Sequence, residues 1–198
     1  MSGLCSLSPR SHSDTRAAPS SAARAQELDL PEDIVRDLLS LSGSDVVVIA
    51  DDSSSMNSIA EPESGLTATR WDELRNALST LITMLLVVDH ADGFFLKFLN
   101  DPAWYTIKSK DELAAVFAQK PTARGLTPLK ASLELVCQGY GHAEMDTLLI
   151  CLTDGQPSDC QLPDIQAMLQ ARAKSVFVSF LMCTSEDEVV SAYNRCVE

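Results

Sequence analysis

Four nearly uninterrupted apolar runs limit this chain more than any other feature: "DVVVIA" at 45–50, "GFFLKFLN" at 93–100, "DTLLICLTDG" at 146–155 and "SVFVSFLMC" at 175–183. A strand wet on one face alternates apolar and polar residues, whereas a strand covered on both faces does not. Between the runs lie stretches with helical spacing. In the longest, from about Trp71 to Val88, the residues Trp71, Leu74, Leu78, Leu81, Ile82 and Leu85 fall on one face. "KDELAAVFAQK", "PLKASLELVCQGYG", "LPDIQAMLQARAK" and "EDEVVSAYNRCVE" read as further helices. Covered strands alternating with helices predict a doubly wound α/β fold, a mostly parallel sheet with helices on both faces. "AWYTIKS" follows the second run after the turn signal Asn100–Asp101–Pro102, which predicts a short antiparallel edge strand over residues 104–108.

Three regions follow from this pattern. Residues 1–26 are rich in Ser, Ala and Arg with Asp14 as the only acid, the composition of a disordered tail or of an organelle transit peptide. Residues 27–43 predict a short helix, with Asp29 as its N-cap, Pro31 at the first helical position and Gly43 as its stop. Residues 44–198 hold the α/β domain.

The net charge is −13 over 198 residues, and the acids are concentrated beyond residue 26. Such a balance opposes binding to nucleic acid or to anionic membrane surfaces, because no basic patch is available to displace counterions. No apolar run approaches the ~18 residues of a membrane span. The six cysteines form no CxxC pair, and Cys151 and Cys183 lie inside apolar runs, as free thiols acting as small hydrophobes do. The chain is therefore expected in a reducing, intracellular compartment, the cytoplasm unless the tail directs organelle import.

The first run ends in "ADDSSSM" and the third in "LTDGQPSD". Ligands of a doubly wound sheet bind at the carboxyl ends of its strands. If these two strands are neighbours, their ends lie about 4.8 Å apart, and Asp51 and Asp154 face one volume together with Ser53 and Ser55. Thr127 in "ARGLTPLK" can add a hydroxyl to the same rim. Two crowded carboxylates repel unless a cation joins them. The donors are all hard oxygens, which favours Mg²⁺, with Ca²⁺ or Mn²⁺ as alternatives, over zinc.

At these residues the sequence resembles the von Willebrand factor type A domain, whose metal-ion-dependent adhesion site reads D-x-S-x-S, then a threonine, then an aspartate in a "TDG" turn. The matches are Asp51, Ser53 and Ser55, then Thr127, then Asp154, over about residues 44–197. The resemblance implies a Rossmann-like sheet of order 3-2-1-4-5, usually with a sixth strand, and a metal whose last position is taken by an Asp or Glu of a protein partner. Ser54 stands where the family often has Gly, and the family's last strand is expected to be missing here. The long loop from Met56 to Arg70, carrying Glu61 and Glu63, is expected to cross the metal face and help choose partners.

The resulting expectation is a non-enzymatic, metal-dependent protein-binding module. One rival is a metal-dependent hydrolase or phosphotransferase, against which the motif loops offer no P-loop, nucleophile–base pair or cationic clamp. A second is a metal-free scaffold in a larger assembly. Among the remaining polar residues, Asp52 is expected to be a solvated neighbour and Asp159 part of a helix entrance. Lys97 is expected to reach an end of the sheet, and His90 to serve at a helix C-terminus.

Overall fold

The computed structural model describes residues 30–41, 43–60, 67–87, 93–140, 145–184 and 186–197. The expectations for residues 1–26, Asp29, Glu61, Glu63 and the three histidines lie outside the described residues. Each apolar run forms a strand: β1 (Asp45–Ala50), β2 (Phe94–Phe98), β4 (Thr147–Thr153) and β5 (Val176–Met182). The tight turn after β2 leads into β3 (Trp104–Ile107), which pairs antiparallel with it. The remaining pairs are parallel, and the sheet order is β3-β2-β1-β4-β5. This is the doubly wound α/β architecture expected from the sequence, with five strands among the described residues.

Helices α1 (Glu32–Ser40), α2 (Arg70–Val87), α3 (Lys110–Gln119), α4 (Leu129–Tyr140), α5 (Leu162–Gln170) and α6 (Asp187–Val197) complete the fold. Side chains alternate across a strand, so β1 feeds two cores at once. Val46, Val48 and Ala50 pack with Trp71, Leu74, Leu78, Ile82 and Leu85 of α2 and with Leu113 and Phe117 of α3. On the opposite face, Val47 and Ile49 meet Leu129, Leu133 and Val136 of α4, Ile165 and Leu169 of α5 and Tyr193 of α6. Burial on both faces is the physical reason that β1 carries no polar alternation.

α1 begins one residue later than expected, with Pro31 in the N-cap position. Its apolar side chains Leu30, Val35 and Leu38 pack on Val87 at the end of α2. Gly43, two residues beyond the C-cap Leu41, has a φ of +95°, which glycine adopts without strain. Lys97 behaves as expected: it is buried within β2, and its ammonium donates to the carbonyls of Phe98, the strand's last residue, and of Asp101 just beyond it.

Candidate functional site

The register Ala50 opposite Leu152 brings the ends of β1 and β4 side by side. Asp51 follows directly, its amide donating to the Leu152 carbonyl over 2.9 Å. From there a chain of contacts crosses between the two loops. The Ser53 amide donates to Asp51 Oδ1 at 2.8 Å, the Ser53 and Ser55 hydroxyls lie 3.0 Å apart, and the Ser55 hydroxyl donates to Asp154 Oδ1 at 2.8 Å. The structure thus joins Asp51, Ser53, Ser55 and Asp154 in one network. Asp51, Ser53 and Asp154 are buried, while Ser55 stands at the exposed rim.

Thr127 belongs to a third loop that is fastened on both flanks. On one side, the Ser54 amide donates to the Gly125 carbonyl, and the Ser54 hydroxyl meets both polar groups of Gly125. On the other, Thr127 and Ser158 exchange two hydrogen bonds, Thr127 N to Ser158 Oγ at 3.1 Å and Ser158 N to Thr127 O at 2.8 Å. The Thr127 hydroxyl itself takes no hydrogen bond from any of the other four residues.

Several neighbours were not anticipated. Thr153 is fully buried and donates its hydroxyl to Asp51 Oδ2 at 2.6 Å. A hydroxyl at the end of an otherwise apolar run was the available sequence signal. Arg70, the first residue of α2, places Nη1 2.9 Å from Asp154 Oδ2 and Nη2 3.1 Å from Glu186 Oε1. A cationic group that the sequence did not announce therefore reaches Asp154. This cation comes from 84 positions away in sequence and from outside every motif loop.

Asp52 also departs from expectation. It is buried, with its Oδ1 accepting from the backbone and side-chain amides of Asn100 at 2.8 and 2.9 Å and its Oδ2 lying 3.6 Å from Lys120 Nζ. The same ammonium is 2.8 Å from Asp101 and 4.8 Å from the Phe98 ring centre. Asp159 does stand at a helix entrance, that of α4: its carboxylate accepts from the amides of Lys130 and Ala131 at 3.2 and 3.0 Å. The loop from Met56 to Arg70 is pinched at its base by an antiparallel bridge between Ile59 and Thr69.

Electrostatics follow the burial. Desolvation pushes the Asp51 carboxyl up from its ordinary value, opposed by the hydrogen bonds from Ser53 and Thr153. Desolvation also acts to lower Arg70, but the Asp154 and Glu186 carboxylates outweigh it and hold the guanidinium above its ordinary value. Burial raises the Cys183 thiol to about 12, so it behaves as a small hydrophobe at neutral pH.

As a donor set, the five residues offer hydroxyl and carboxylate oxygens only, which suits a hard divalent ion. Among the described residues no three His, Cys, Asp or Glu side chains gather into a metal-holding group. Any ion here would depend on the serine and threonine hydroxyls beside two aspartates. It would also have to share Asp154 with Arg70.

Fold and site together define an α/β protein with a buried serine–carboxylate cluster at the carboxyl ends of two central parallel strands. No family model matches the chain, and no curated protein matches its sequence. Among solved structures it is similar to conserved hypothetical protein BatB from Bacteroides thetaiotaomicron, with 19% identity, a TM-score of 0.45, and 71% of this chain and 66% of that one covered. It is also similar to an aerotolerance-related membrane protein from Bacteroides fragilis, with 14% identity, a TM-score of 0.43, and 71% and 67% covered. The chain spans about two thirds of the length of each. Among its own described residues, no helix is long and apolar enough to cross a membrane.

Proposed function

We propose that this chain is a von Willebrand factor type A-like module, acting by binding rather than catalysis, that captures an Asp or Glu of a protein partner through a divalent cation. Asp51, Ser53, Ser55, Thr127 and Asp154 would hold the ion, with Mg²⁺ favoured and Ca²⁺ or Mn²⁺ as alternatives. The observation that carries this reading is the continuous network Asp51–Ser53–Ser55–Asp154 across neighbouring strand ends. An N-cap or turn role would need only one loop; here oxygen donors converge from two, with Thr127 held alongside them. The ion would supply the positive centre to which a carboxylate binds. The chain's own residues fix the donors and exclude water from the buried side.

Calorimetric titration with Mg²⁺ and Mn²⁺ tests the proposal. Saturable binding by the parent protein is expected, together with loss of binding in Asp51→Ala and Thr127→Ala variants that retain their circular-dichroism spectra. Equal binding by the parent and both variants would refute the site.

One observation favours a metal-free scaffold instead. The Arg70 guanidinium already neutralises Asp154 at 2.9 Å. Absence of any ion binding by the parent, with partners captured equally well in chelator, would select that reading.

A further inference from the structure

The position of Arg70 permits a more specific statement, which rests on the metal-binding reading above. We propose that Arg70 is a built-in competitor for the cation, occupying Asp154 until an ion displaces it and thereby setting the ion affinity of the site.

Three observations support this. The Arg70 side chain is 16% exposed and that of Asp154 fully buried, so the 2.9 Å pair between them is shielded from solvent and salt. Asp154 divides its carboxylate between two donors, Oδ1 accepting from Ser55 and Oδ2 from Arg70. An ion drawing on Asp154 therefore meets a carboxylate with both oxygens engaged, and the positive charge of Arg70 on Oδ2 opposes it even where it takes Oδ1 from Ser55. Arg70 is also incompletely satisfied where it stands, because its Nε is buried without a hydrogen-bond partner among the described residues. A guanidinium has five donors in a fixed fork, and in this placement the Nε donor is buried with no acceptor.

Arg70 has somewhere to remain when it releases Asp154. Glu186, just before α6, already accepts from Nη2 at 3.1 Å and is 63% exposed on its side chain, which leaves room for the fork to rotate onto it. Displacement thus exchanges a shared arginine for one held by Glu186, and no charge is left buried without a counter-charge. The arrangement also keeps Asp154 neutralised while no ion is bound, which the crowded Asp51 and Asp154 carboxylates require.

The test compares Mn²⁺ titrations of the parent, Arg70→Gln and Arg70→Lys, with the metal-free thermal midpoint as a second readout. Arg70→Gln is expected to bind Mn²⁺ about tenfold more tightly than the parent, the worth of one charged hydrogen bond. Its metal-free midpoint should be lower, and saturating Mn²⁺ should restore more of it than in the parent. Arg70→Lys retains the charge but not the fork, and its affinity should fall between the two. If Arg70→Gln does not fold, an Arg70→Lys affinity equal to that of the parent overturns the proposal. Equal or weaker binding by a folded Arg70→Gln also overturns it, while ion binding by the parent that Asp51→Ala abolishes would leave the metal site standing. Binding by none of the proteins removes both.

Discussion

At the scale of single residues, two positions carry energetic consequences that can be measured. Gly125 has a φ of +113°, and a Cβ there would lie 2.5 Å from the Asn100 side chain. Gly125→Ala combines backbone strain with a clash and should destabilise the protein by about 1–3 kcal/mol in urea unfolding. Adding Asn100→Ala should relieve the clash but leave the strain, and it forfeits the Asn100 side-chain hydrogen bonds to Asp52 and the Leu126 carbonyl. Asp101 is held at about 2 by the Lys120 ammonium, against the effect of burial and with help from Ala103 and Tyr105. A carboxyl depressed on folding stabilises the protein above its unfolded value, and that contribution is lost as pH falls through the folded value. Asp101→Asn should therefore be less stable than the parent at pH 7 by about 1–2 kcal/mol, since nearby solvent screens part of the pair. The difference should close as the pH falls from about 4 to about 2. Thermal unfolding of the two proteins across that range provides the check.

The secondary-structure elements show which features the sequence can announce. Apolar runs and a 3.6-residue period record burial by one or two neighbours, so β1, β4 and the inner face of α2 could be read directly. The meeting of Asp51, Ser53, Ser55 and Asp154 was equally readable, since "DDSSSM" and "LTDG" mark the ends of two apolar strands, whereas the Thr127 hydroxyl of "GLTPL" makes no hydrogen bond to them. Interactions defined only by the assembled sheet could not be read. Asp159 lies just before α5 in the chain, yet it caps α4, because the loop after β4 folds across the start of α4. Asp52 looks like the more solvated of two adjacent acids, but β2 delivers Asn100 to it from 48 residues away. Nothing in the spacing of Arg70 and Asp154 indicates that the start of α2 meets the end of β4. The cap permits a direct prediction: Asp159→Ala should lower stability by about 1 kcal/mol through fraying of α4. The loss should appear as faster amide exchange at Lys130 and Ala131.

For the whole molecule, the sheet formed by the described residues has two unequal edges. β3 is four residues long, whereas β5 is seven residues long, apolar apart from Ser179, and exposes Phe177 and Leu181 at 52% and 47%. An edge of that length without Lys or Pro is a template for pairing with other strands. Phe177→Lys should reduce concentration-dependent association in light scattering, with little change in the unfolding midpoint. The site at the carboxyl ends of the central strands β1 and β4 is built differently. Its loops are fastened to one another by backbone hydrogen bonds: Ser54 to Gly125 at 3.1 Å, Arg124 to Asp52 at 2.6 Å and Ser158 to Thr127 at 2.8 Å. Loops usually occupy the least stable part of a protein and open on their own. Here each loop is tied to another, so freeing one of these exposed amides means breaking a bond that also holds its neighbour. Their hydrogen exchange should therefore be slower than that of an untethered loop and should quicken together when any one fastening is removed, so that the rim opens as a unit.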